Sequence, residues 1–193
     1  MASKELITPY QILSCYENLA GKITLDVASS SEAAYINGID NFYDEKTDGY
    51  KQSWKDNNCL IHPPRGKSPG HTELLRRNRA LRFQQQATTG LISTARIWFR
   101  ESMRRWLAHE LDSGIFILTG SASALFNTII DPAYIGLSLP PVCYLDPYAL
   151  EWITEDEEYK KPKAAMAFWF FALDTPDPHE QFNDYFSQIG RCV

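Results

Sequence analysis

The sequence predicts a mainly α fold, a single-domain helical protein spanning residues 1–193 with two or three short strands, and α+β as the fallback. Three observations carry this. Residues 74–111 contain no proline and only one glycine, Gly90. Thr8-Pro9 and Asp177-Pro178 are helix starts of the usual kind, a capping residue followed by proline at the first helical position. Residues 164–173 (AAMAFWFFAL) form an unbroken apolar run of ten between Pro162 and Asp174, the length of a buried core helix and about half that of a membrane span.

Taken in order, residues 10–20 place apolar side chains at 12, 13, 16 and 19 before Gly21, a helix with its stop signal. Residues 22–27 (KITLDV) alternate as a short strand. Ser29, Ser30, Ser31 and Glu32 cap a second helix over about 32–44. Residues 45–71 are rich in Lys, Asp, Asn, Gly and Pro and predict an irregular, basic loop. The stretch beginning at Thr72 predicts two helices broken near residues 84–90. In the second, Leu91, Ile92, Ala95, Trp98, Phe99 and Trp106 share an apolar arc with Met103 at its border, and Arg96, Arg100 and Arg104 line the opposite side. Residues 115–119 (IFILT) predict a buried strand and 122–130 a short helix. Asp146-Pro147 opens a helix to about Tyr159 with an acidic second turn, residues 164–173 follow as the core helix, and residues 178–189 close the chain as a helix stopped by Gly190.

The chain is 44% hydrophobic and 13% aromatic, with five Trp, ten Tyr and ten Phe, which excludes a wholly disordered chain. Cys15, Cys59, Cys143 and Cys192 form no Cys-x-x-Cys, so no local zinc or dithiol motif exists. They read as scattered thiols of a reducing compartment. The first residues lack an apolar core of a secretory signal. These features together predict a cytoplasmic protein without a membrane span.

No reaction is legible. Gly66-Lys67-Ser68 lacks the glycine a phosphate loop needs five positions earlier, where Ile61 stands, and Pro63 and Pro64 remove amide donors. None of His62, His71, His109 and His179 belongs to a His-x-x-x-His pair. A small enzyme pairing Cys59 with His62, His71 or His109, or using carboxylates, has no local signature to recommend it. The acidic run at 151–158 reads as a solvated face or a partner for basic residues. The sequence therefore predicts no catalytic residue, no metal and no cofactor.

Charge is the most informative pattern. Residues 62–105 hold nine Arg and Lys67 against Glu73 and Glu101, a local net of +8, whereas residues 1–61 sum to −4 and residues 106–193 to −9. The stripe Arg96, Arg100, Arg104 and the pair Glu101–Arg105 are explained by an amphipathic helix with i,i+4 support. Arg65, Lys67, Arg76, Arg77, Arg79 and Arg82 are not, and they are the predicted anion-binding residues. Arginine's planar fork pairs bidentately with carboxylates and phosphates. The expectation is a non-enzymatic interaction protein (a subunit, adaptor or inhibitor) that uses this loop and helix to bind an acidic protein partner or a second copy of itself. Nucleic acid contacted through the same arginines is the alternative. Against it stand the overall charge of −5 and the lack of a nucleic-acid-binding signature.

Overall fold

The computed structural model describes residues 6–63, 94–120, 139–154, 156 and 158–193. It corrects the fold class: the protein is not mainly α, and "helical" does not describe it. It is an α/β fold built on a six-stranded mixed sheet. The elements are α1 (Tyr10–Ala20), β1 (Leu25–Asp26), α2 (Ser31–Asn37), β2 (Asn58–Ile61), α3 (Thr94–Leu107), β3 (Ser113–Gly120), β4 (Val142–Leu145), β5 (Ala164–Phe170), α4 (Pro178–Phe186) and β6 (Gly190–Cys192). The strand order is β1-β2-β3-β5-β4-β6. β1, β2 and β3 are parallel, β5 is antiparallel to both β3 and β4, and β6 is antiparallel to β4.

The sheet is covered on both faces, which explains the miscounted strands. Ile115 and Ile117 of β3, with Ala165, Ala167 and Trp169 of β5, pack into one core with Ile12, Leu13 and Tyr16 of α1 and Phe182 and Phe186 of α4. Their alternate neighbours Phe116, Leu118, Met166, Phe168 and Phe170 pack into a second core with Trp98, Phe99, Met103 and Trp106 of α3. A strand buried on both faces shows no polar alternation, so a run such as AAMAFWF reads equally as a buried helix. What decides the matter is the register. β5 pairs along its length with β3, from Gly114↔Phe170 to Gly120↔Ala164, and on its other side with β4. Of residues 164–173, expected as a core helix, Ala164–Phe170 are therefore the strand that joins the two halves of the sheet.

Several local expectations fall with it. α2 is capped by Ser30, whose Oγ accepts from the Ala33 amide at 3.1 Å, but ends at Asn37 and not near 44. Gly38 adopts φ +67° and φ of this sign turns the chain out of the helix. The segment 45–71, expected to be irregular, contains β2. The helix expected over 147–159 is absent. Asp146 Oδ1 accepts from the Tyr148 amide at 2.8 Å, a local side-chain turn. Beyond it Leu150, Trp152 and Thr154 are buried while Glu151 is exposed, a strand-like period of two. Ile153 and Tyr159 form an antiparallel bridge, and the Thr154 amide donates to the Glu158 carbonyl at 2.9 Å. By contrast α1, β3 and α4 form where the sequence puts them. Residues 122–130 and the first half of the basic stretch lie outside the described residues.

α3 also differs from a plain amphipathic helix. Arg104 is exposed and lies between Glu101 and Glu110, at 2.8 Å from each. Arg105 is buried. Its Nε donates to Glu101 Oε1 at 2.7 Å, its Nη1 to the Gln52 carbonyl at 2.7 Å and its Nη2 to the Tyr50 carbonyl at 2.8 Å. The guanidinium lies 4.2 Å from the centre of the Trp54 ring, which stacks in turn on Trp98. Two arginines of the basic middle are thus committed to internal partners. Among the described residues no helix is long and apolar enough to cross a membrane.

Candidate functional site at the carboxyl edge of the sheet

The strand directions gather the connections of the chain along one edge. β4 is antiparallel to β5 and hence runs with β1, β2 and β3, so Asp26, Ile61, Gly120 and Leu145 all end there. β5 and β6 start there, as the pairs Gly120↔Ala164 and Leu145↔Gly190 show. In open sheets of parallel strands, ligands bind beyond the carboxyl ends, because the loops there are free to vary on a rigid frame.

The N-terminal segment and residues 150–160 knit this edge together. Leu6 bridges to Thr154, and the Ile7 amide donates to the Ile153 carbonyl at 2.9 Å. Thr8, predicted as the cap of α1, makes no capping bond. Its Oγ1 is instead hydrogen-bonded to His62 Nδ1 at 2.9 Å. His62 follows the last residue of β2 and meets the Trp152 ring edge-on, with centroids 6.4 Å apart. Trp152 is fully buried, and its indole Nε1 has no hydrogen-bond partner among the described residues.

Around this frame, among the described residues, stand three well-exposed aromatic groups. Tyr10, the first residue of α1, is 76% exposed, and Tyr148 and Tyr159 are 82% and 60% exposed. Lys161 Nζ lies 4.8 Å from the Tyr148 ring centre and 5.3 Å from that of Tyr159, so one ammonium holds the two rings in a group. Glu151 is exposed on the same segment.

Asp26 closes β1 and is buried, with its backbone bonded on one side to residues 41–43. Burial pushes its carboxyl up to about 6, countered in part by the Ala28 amide, which donates to Oδ1 at 3.2 Å. The native state therefore holds a proton that the unfolded chain releases, and stability falls as pH rises from about 4 to about 6. Asp26→Asn keeps the acceptor for Ala28 and removes the charge. It is expected to gain about 2 kcal/mol relative to wild type between pH 4 and pH 7. Urea unfolding of both proteins at the two pH values checks this; parallel pH profiles would contradict it.

The predicted anion-binding residues Arg65, Lys67, Arg76, Arg77, Arg79 and Arg82 lie outside the described residues. Their segment, 64–93, is joined to Pro63 at this same edge and carries a net of +5. His71 lies in it too. Among the described residues, Cys59 is paired with neither His62 nor His109. Cys59 belongs to the core facing α3, while His62 contacts Thr8 and Trp152 on the other side. Burial pushes the Cys59 thiol far up, and the sulfur lies 3.6 Å from the Trp54 carbonyl, a hydrogen-bond contact. His109 and His179 are exposed on unrelated elements. Among the described residues no group of three His, Cys, Asp or Glu side chains is placed to hold a metal ion. What sequence reasoning missed is the tyrosine and lysine group, because its members meet only through the folding of residues 146–163. Comparison with protein-family models, with curated proteins and with solved structures found no match.

Proposed function

We propose that the protein is a non-enzymatic interaction protein that docks an acidic protein partner, a second copy of this chain included, on the carboxyl edge of its sheet. Arg65, Lys67, Arg76, Arg77, Arg79 and Arg82 supply the charge, and Tyr10, Tyr148, Tyr159 and Lys161 the aromatic contact. The observation that carries this reading is the coincidence of place. The basic segment begins at the edge where the tyrosines are exposed, and Tyr and Arg are the side chains that dominate protein interfaces.

The test compares a fluorescent polyglutamate peptide with a random-sequence duplex at 50 mM and 200 mM salt. The reading predicts that the peptide binds and that Tyr148→Ala with Tyr159→Ala weakens it about tenfold, the size of one interface hot spot. Binding of the duplex alone, with a steep loss at the higher salt and no effect of the tyrosines, would replace this reading by nucleic-acid binding.

A further inference from the structure

Three of the four cysteines face the same layer. Cys15 of α1 and Cys143 of β4 belong to the core beneath α1 and α4, and Cys192 of β6 packs against it. The register places Cys143 directly opposite Cys192. The adjacent pair, Val142 and Val193, bond each other in both directions, with N···O distances of 3.5 and 3.0 Å. In an antiparallel ladder the next pair is then of the non-hydrogen-bonded kind, with Cα atoms about 4.5 Å apart and side chains at their closest. That separation is within the range a disulfide spans, about 4.4–6.8 Å. Cys143 Sγ already leans over β6, close enough that a Cβ on Gly190 would stand 2.6 Å from it. The two thiols differ in access: Cys143 is buried, while Cys192 is only partly covered and lies on the edge strand.

We propose that Cys192 and Cys143 are a thiol-oxidation site, closing to a cross-strand disulfide by exchange with a small-molecule disulfide such as oxidised glutathione. The accessible Cys192 gives up its proton, and its thiolate attacks one glutathione sulfur. An S–S bond forms to Cys192 while the glutathione S–S bond breaks, releasing one glutathione thiolate. Cys143, losing its own proton, then attacks the Cys192 sulfur and releases the second. The protein loses two protons and two electrons, and one glutathione disulfide takes them up to become two thiols. The product staples β6, held otherwise at one side only, to β4. Burial raises both thiols above the ordinary value, so the exchange accelerates as pH rises above neutral.

The experiment incubates the full chain with oxidised glutathione at pH 8, counts thiols in denaturant and maps peptides without reduction. The expected result is a fall from four thiols to two, a single link between the peptides of Cys143 and Cys192, and full reversal by dithiothreitol. Cys192→Ser is expected to keep its three remaining thiols, and Cys143→Ser to stop with one glutathione on Cys192. A link involving Cys15 or Cys59, a glutathione adduct without an internal link in the wild type, or four surviving thiols would each overturn the proposal.

Discussion

Arg105→Ala is expected to destabilise the protein by about 3–5 kcal/mol, the cost of breaking a buried ion pair by removing one member. The side chain leaves three acceptors behind: Glu101 Oε1 and the carbonyls of Gln52 and Tyr50. Glu101 is itself buried, and the one cation it retains among the described residues is Arg104, which approaches it from the exposed side. The carbonyls belong to the turn that carries Trp54, so the loss extends beyond α3. Trp54 is fully buried, stacked on Trp98 and tied through Nε1 to the Gly49 carbonyl at 2.8 Å. Arg105→Lys keeps the charge but lacks the fork that spans a carboxylate and two carbonyls, and lies between wild type and the alanine variant. Adding Glu101→Gln to Arg105→Met recovers part of the loss, because it removes the stranded charge. Urea unfolding with the three variants checks all of this. A loss under 1 kcal/mol for Arg105→Ala would show that the buried network contributes nothing.

The second large effect is on binding and not on stability. Arg76→Glu, Arg77→Glu and Arg79→Glu together are expected to weaken association with the acidic partner at least about 100-fold. Each reversal removes a charge-assisted contact and adds a repulsive one. The thermal midpoint should stay close to that of wild type, since the proposal gives these side chains an external partner. Isothermal titration with the polyglutamate peptide and a thermal melt of the same samples separate the two quantities. A large drop in the midpoint would identify these arginines as internal partners in the manner of Arg105.

The contrast between Arg105 and Arg76 shows how far the sequence could be read. Glu101 and Arg105 were legible as an i,i+4 pair, but not as a buried one. Their burial depends on Tyr50, Gln52 and Trp54, which precede them by some fifty positions. α1 and α4 were legible because proline marks their first turn, and β3 because five β-forming residues end at a glycine. β5 was not, since both its faces are buried and the pairing that makes it a strand is long-range. β4 and β6 are too short to signal themselves, and the meeting of Cys143 with Cys192 follows from their register alone. The arginines of residues 65–82 stood out by composition. The exposed tyrosines of the carboxyl edge did not, because Tyr10 lies well over a hundred residues from Tyr148 and Tyr159, and those two are grouped around Lys161 only by the fold.

Hydrogen exchange of the full chain with and without the polyglutamate peptide tests the placement of the docking site most directly. The account predicts protection confined to the carboxyl edge: around Thr8 and Tyr10, from His62 through Arg82, and across residues 146–163. Protection at the opposite edge, around Thr24, Asn57 and Asn58, or none at saturating peptide, would contradict it.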